Sequence, residues 1–261
     1  MMALRTLAMI GALLSPITAA SAQAPRPEDT EVHSPVPAVV TPGRQDGEPP
    51  SDAIVLFDGK DLSQWVKTSD KGPAGWVVQD RAMVVVRAAG NIETRRRFGS
   101  YQLHLEWRVP AGVTGTGQAR GNSGVFLAST GPGDGGYELQ ILDPYDNPTY
   151  VNGQAASLYK QAAPLVNPGR PPGAWQTYDV IWTAPRFDAD GALREPARVT
   201  AFHNGVLVQN NVVLSGPTRF IGKPVYAPHG ASPIKLQAHA GGGPVSFRNI
   251  WVRDLETPPG P

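Results

Sequence analysis

Apolar and polar residues alternate along much of this chain with a period of two, the spacing of a strand whose side chains point to opposite faces. The clearest case is residues 101–109. Tyr101, Leu103, Leu105, Trp107 and Val109 form an apolar face, and Gln102, His104, Glu106 and Arg108 a polar one. Alternation of that length leaves little room for a helix. Residues 137–142 repeat the pattern, with Tyr137, Leu139 and Ile141 on one side and Glu138, Gln140 and Leu142 on the other. A carboxylate and an amide on one face of an otherwise oily strand either meet bulk water or look into a cleft. Lys235, Gln237 and His239 make another polar row, opposite Ile234, Leu236 and Ala238.

Further apolar runs at 54–57, 76–78, 83–86, 124–127, 175–182, 197–203, 206–208 and 245–252 predict strands. Asn204-Gly205 between two of them is a hairpin turn signal. No segment sustains a 3.6-residue period with helix caps. Many short strands broken by Gly and Pro predict an all-β sandwich or jelly roll. Residues 143–174, rich in Pro, Asn, Tyr and Gly, form a long irregular connection, and such ordered loops are more often functional than idle.

The ends of the chain read differently. Arg5, an apolar run from Leu7 to Leu14 and Ala20-Ser21-Ala22 have the layout of a signal peptide over residues 1–22, too short in its apolar run to span a bilayer. Residues 23–50 are Pro-rich without periodicity and read as a disordered linker. Residues 51–257 then form one domain, large enough for a sizeable core. The chain has no cysteine and a formal net charge of +1. Export without disulfides fits a bacterial periplasmic or secreted protein, with no membrane association after signal cleavage. The near-neutral charge argues against nucleic acid as a partner.

Several motifs fail on context. Gly121-Asn122-Ser123-Gly124-Val125 lacks the last glycine of a nucleophile elbow, and no helix follows it. Gly115-Thr116-Gly117 opens no helix, so it makes no dinucleotide site. The paired acidic spacing of a two-carboxylate glycosidase is missing, since Glu138 leads to Gln140 and Asp143. No motif asks for a cofactor, and Asp143 at a strand end either anchors the loop or leaves a divalent metal open.

Four stretches together resemble one family. Leu56-Phe57-Asp58-Gly59-Lys60-Asp61-Leu62-Ser63-Gln64-Trp65 is similar to the opening signature of the 3-keto-disaccharide hydrolase domain family. Gly121 to Leu127, Tyr137 to Asp143 and Phe247 to Arg253 resemble its later motifs, in order. The resemblance implies a concanavalin-like jelly roll of two curved antiparallel sheets, a carbohydrate cleft on the concave face and hydrolysis of glycosides bearing a 3-keto group. Two positions depart from the family pattern. Gln237-Ala238-His239-Ala240 stands where Gln-Asp-His-Gly is usual, and Gly173-Ala174-Trp175 where Gly-Glu-Trp is usual. A non-catalytic, lectin-like glycan binder would use the same cleft and remains the alternative.

A 3-keto group acidifies the neighbouring C2 hydrogen, so the glycosidic bond can break by elimination. That chemistry needs a base, a polar group for the enolate oxygen and an acid for the leaving group. Glu138 is the candidate base and His239, titrating near neutrality, the candidate acid or base. Gln140, Asn122, Gln237, Glu106 and Arg108 are candidate sugar contacts, with Tyr159 and Lys160 of the long loop at the rim. Trp65, Trp76, Trp107 and Trp251 read as core, because their neighbours alternate as buried strand residues do.

Overall fold

The computed structural model describes residues 24–240 and 243–256; the expected signal peptide lies outside them. Residues 24–37 belong to a unit of their own containing a short 3-10 turn, Pro27–Thr30. The rest forms the main unit. Among the described residues its strands are Ile54–Phe57 (β1), Trp65–Lys67 (β2), Val77–Gln79 (β3), Ala82–Val84 (β4), Ile92–Thr94 (β5), Tyr101–Arg108 (β6), Ser123–Ser129 (β7) and Gly136–Ile141 (β8). Gln176–Thr183 (β9), Arg186–Phe187 (β10), Leu193–Glu195 (β11), Arg198–His203 (β12), Val206–Val213 (β13), Lys235–Leu236 (β14) and Ser246–Asp254 (β15) complete the set.

Two large antiparallel sheets result, with β10 and β11 paired as a separate two-stranded sheet. One runs β13-β12-β9-β6-β15-β4-β3, with β1 also on β15; the other runs β2-β5-β14-β7-β8. No α-helix occurs among the described residues, and the all-β jelly-roll sandwich anticipated from the alternation is what forms. Between the sheets, Trp65, Trp107, Trp182, Tyr101, Tyr137 and Tyr178 are fully buried. Two of the tyrosine hydroxyls are satisfied across the sandwich, whereas Trp107 Nε1 and Trp182 Nε1 have no partner among the described residues. Tyr178 Oη donates to Gln140 O at 2.8 Å, and Tyr101 Oη to Leu127 O at 2.6 Å. Leu127 O is free for this because the β7–β8 register slips between Phe126 and Ser129, a bulge that breaks the ladder there. Asn204 and Gly205 both take positive φ between β12 and β13, as the hairpin signal requires.

Both faces of β7 and β8 are buried, so loops must cover the outer face of the smaller sheet. The free edge of β8 is closed from two directions. Gln140 N donates to Ser157 O (2.9 Å) and Tyr159 N to Glu138 O (3.1 Å), while Thr218 N donates to Gly136 O (2.7 Å). Pairing an edge strand with ordered loops satisfies its backbone groups. It also carries Tyr159 and Thr218 to the side of Glu138.

Two expectations need correction here. The linker does not run to Pro50 as free chain: Gly47 O accepts from Asn249 Nδ2 (2.8 Å) and Trp251 Nε1 (2.9 Å), and Ser51 N donates to Thr41 O (2.9 Å). Polar groups on β15 thus hold the segment before β1 in place. Trp251 is buried as expected, but beneath that segment on the outward face, stacked on His104 at 5.3 Å, and not in the cluster between the sheets.

Candidate functional site

The outer face of the smaller sheet carries a cross-strand row: Glu93 of β5 opposite Lys235 of β14, Lys235 opposite Phe126 of β7, and Phe126 opposite Glu138 of β8. Gly124 and Gln140 form the neighbouring pair. Four polar side chains on one sheet face need partners, and the loops supply them. Above this face lies a cavity of about 610 Å³. Glu138, Gln140, Asn122, Gln237, His239 and Tyr159 all line it. The residues picked from strand alternation and from the long loop are therefore brought together from β8, the β7 entry, the β14 exit and the 143–174 connection.

Glu138 is 6 % exposed, its side chain packed over the bare Cα of Gly124. Burial, reinforced by the carboxylate of Asp134 and opposed by Lys235, pushes its pKa up to about 8. Gln237 is also buried, held by Gln237 N to Gly124 O (3.0 Å) and by Ser123 Oγ donating to Gln237 O (2.7 Å). Among the described residues Gln237 Oε1 has no partner, so it is a ready acceptor for a ligand hydroxyl. Burial lowers the pKa of His239, against the pull of Asp134. Tyr150 Oη and Tyr159 Oη share one hydrogen bond at 2.6 Å, which leaves the second hydroxyl proton to point elsewhere. Lys160 takes positive φ and donates Nζ to Phe220 O (2.6 Å), 4.1 Å above the Phe220 ring, at the rim.

Glu106 and Arg108 are not part of this site. They share a face as the alternation requires, but it is the outward face of the larger sheet, on the far side of the sandwich. Glu106 accepts from Arg248 Nε (2.7 Å) and Asn249 Nδ2 (3.0 Å). Burial works against its ionisation, yet His104, Asn249 and Arg248 together bring its pKa to about 2. Arg108 stacks on Trp175 at 4.5 Å. Alternation tells which residues share a face but not which sheet a strand joins, and that is where the reading failed. Asp143 anchors: its Oδ2 lies 2.6 Å from Arg120 Nε, and its Oδ1 accepts from Tyr145 N (3.1 Å).

Residues missed by sequence reasoning sit in loops or in short strands. Asp134 lies in the turn between β7 and β8, whose carbonyls at Gly131, Gly133 and Gly135 all accept from Lys235 Nζ at 3.2, 2.9 and 2.5 Å. Asn91 ties the same turn to the His239 segment, accepting from Ala238 N (2.8 Å) and donating to Gly133 O (3.0 Å). Gln118 donates to Gly153 O (2.7 Å) and joins the cavity wall. A second cleft of about 820 Å³ adjoins the first and shares Asp134, Thr218 and Phe220 with it. Among the described residues no group of three or more His, Cys, Asp or Glu is placed to hold a metal ion.

The comparisons with known proteins agree with this architecture. The model of the 3-keto-alpha-glucoside-1,2-lyase-like domain matches residues 52–253. A crystal structure of a candidate glycosyl hydrolase from Parabacteroides distasonis is 49% identical, covering 88% of this chain and 97% of its own, with a TM-score of 0.81. A second candidate glycosyl hydrolase from that organism, 21% identical over 78% of this chain and 94% of its own, superposes with a TM-score of 0.56 and shares the fold. Comparison with curated proteins finds no match.

Proposed function

We infer the reaction from one premise: the chain belongs to the 3-keto-alpha-glucoside-1,2-lyase-like domain family, and so to a carbohydrate-active group. We propose that it cleaves glycosides whose sugar carries a 3-keto group, by elimination followed by hydration. The observation that carries this is Glu138, a buried carboxyl facing a sugar-sized cavity with its pKa raised to about 8. A base whose pKa lies near the working pH combines a usable ionised fraction with proton affinity.

In the first step the Glu138 carboxylate takes the C2 proton, made acidic by the C3 carbonyl, and the electron pair moves into the enolate. Hydroxyl and amide groups of Tyr159 and Asn122 stand on the same cavity and suit the enolate oxygen. The pair then returns, the C1–O bond breaks, and the leaving oxygen takes the proton that Glu138 has just accepted, with His239, its pKa lowered by burial, standing as the base for the water that follows. Water adds across the C1–C2 double bond, hydroxyl to C1 and proton to C2, which regenerates the 3-keto sugar. The leaving part of the substrate would extend past Thr218 and Phe220 into the second cleft. Export through residues 1–22 completes the reading, and the mature N-terminus measured by mass spectrometry tests it.

The deciding experiment offers the purified protein a chromogenic 3-keto-glucoside beside its unoxidised parent, with and without chelator. Release from the keto compound alone supports the proposal. Binding of both without release from either would overturn it in favour of a lectin-like role, and loss of release with chelator would add a metal to the mechanism.

A further inference from the structure

The amide of Gln140 is trapped between acceptors on both sides. Its Nε2 donates to Gln118 Oε1 (3.1 Å) and reaches Gly153 O at 3.4 Å. Its other terminal position lies 3.1 Å from Glu138 Oε1 and 3.1 Å from Ser123 O. Only one end of an amide can donate. With nitrogen toward Gln118, the Gln140 oxygen faces Glu138, and that contact is favourable only if Glu138 is protonated and donates. With the amide turned over, nitrogen donates to an ionised Glu138 and to Ser123 O. Its oxygen then meets Gln118 Oε1, so Gln118 must turn as well.

Turning Gln118 has its own cost. Its Nε2 now donates to Gly153 O (2.7 Å) and Thr149 Oγ1 (3.1 Å). After rotation the Thr149 hydroxyl can donate in return, whereas Gly153 O cannot. The acid leaves the Gln140 oxygen facing Ser123 O. The anion leaves the Gln118 oxygen, and at 3.4 Å the Gln140 oxygen, facing Gly153 O and turns Gln118 Nε2 toward Asn122 Nδ2 (3.4 Å), a cost set against the charge-assisted bond from Gln140 to the carboxylate. Buried mismatches of this kind cost about 1–3 kcal/mol, so the two arrangements are near balance.

We propose that Gln140 and Gln118 form a two-amide relay that reverses when Glu138 gains or loses its proton. Gln140 is then a positioning residue for the Glu138 proton and not a sugar contact. The proposal rests on the reading of Glu138 as the base, and it gives the base a partner in both of its charge states. The other charged or titratable groups that reach Glu138 are Asp134 from the β7–β8 turn, Lys235 from β14, His239 beyond it and Tyr159 from the long loop. None of them changes in the variants below.

The relay makes opposite predictions for its two members. Gln118→Met removes the acceptor that holds Gln140 away from Glu138, which favours the anion. Gln140→Met removes the donor that the anion needs, which favours the acid. The test is the titration of the Glu138 side-chain carboxyl carbon by NMR in the full chain without substrate, assigned by its absence in Glu138→Gln. The expected result is a midpoint lowered by about one pH unit in Gln118→Met and raised by about as much in Gln140→Met, each a tenfold change in proton affinity. Shifts of the same sign, or no shift in either, would overturn the relay. Should the buried Gln140→Met variant fail to fold, Gln118→Met decides alone, a downward shift supporting the relay and anything else overturning it. Because no substrate is present, failure here is distinct from failure of the 3-keto reaction.

Discussion

Gly124 and Glu138 occupy one space: a Cβ at residue 124 would lie 2.5 Å from Glu138 Oε1 and 3.2 Å from its Cδ. The glycine here is needed for close approach, not for its backbone freedom. Gly124→Ala therefore pushes the carboxylate out of its seat while the β7–β8 ladder keeps its register. The expected loss in kcat/KM on a 3-keto substrate is at least tenfold. The stability loss stays at about 1–3 kcal/mol, typical of overpacking. Denaturant unfolding beside steady-state kinetics separates the two, and unchanged kcat/KM would remove Glu138 from the reaction.

Glu138 also sets a pH signature. A carboxyl raised to about 8 in the fold, from 4.5 as an isolated group, binds more protons folded than unfolded between those values. Its contribution to stability is whole below pH 4.5 and is lost as pH rises through 8. Activity runs the other way, since the base must be ionised: kcat/KM climbs with pH and levels off above about 8. Glu138→Gln, neutral at every pH, is expected to abolish turnover and yet raise the melting temperature at pH 9. A gain of about 1 kcal/mol would appear as 2–4 °C in a chain of this size. Scanning calorimetry at pH 5 and pH 9 reads the difference; a variant less stable at both would contradict the buried-acid picture.

Lys235 spends all of its donors on the turn that carries Asp134 into both clefts. Burial lowers its pKa to about 8, with Asp134, Glu93 and Glu138 holding it up. Lys235→Met leaves the carbonyls of Gly131, Gly133 and Gly135 without that partner. The expected cost is about 2–3 kcal/mol, with faster amide exchange confined to the β7–β8 turn and reduced turnover. Uniform loss of protection would instead mark Lys235 as a general core residue.

Much of this was legible before the fold was known. The rows Glu138–Gln140 and Lys235–Gln237–His239 follow from a two-residue period, and all but Lys235, which is buried under the β7–β8 turn, line the cavity. Other parts were hidden for physical reasons. β5 is three residues long and followed by Arg95, Arg96 and Arg97, so neither its strand nor Glu93 stands out. Asp134, Gln118 and Thr218 reach the site through turns whose path depends on tertiary hydrogen bonds. Glu106 illustrates the converse, since a correct face assignment carried no information about which sheet β6 would join.

That misplacement yields a control. Glu106 and Arg108 lie across the sandwich from Glu138, so Glu106→Gln and Arg108→Ala should leave kcat and KM on a 3-keto substrate within twofold of the parent. Glu106→Gln weakens the bonds from Arg248 and Asn249, at a cost of about 1–2 kcal/mol for partly buried charged hydrogen bonds. A tenfold fall in kcat/KM from either change would restore them to the site.

The second cleft bears on which substrates are preferred. It shares Asp134, Thr218 and Phe220 with the first, and Arg97 and Arg219 line it. Among the described residues neither arginine has a carboxylate partner, whereas Lys71 is paired with Glu93 at 2.5 Å. Two unpaired guanidinium groups beside an exposed Phe220 ring suit a leaving part that is both extended and acidic, since guanidinium binds carboxylate through paired hydrogen bonds. Arg97→Ala with Arg219→Ala should raise KM five- to tenfold for a 3-keto substrate whose leaving sugar carries a carboxylate. The neutral counterpart should change by less than twofold. The salt dependence should fall in step, because exposed charge pairs are screened over about 8 Å at physiological ionic strength. Equal effects on both substrates would mean that the arginines shape the cleft without reading charge.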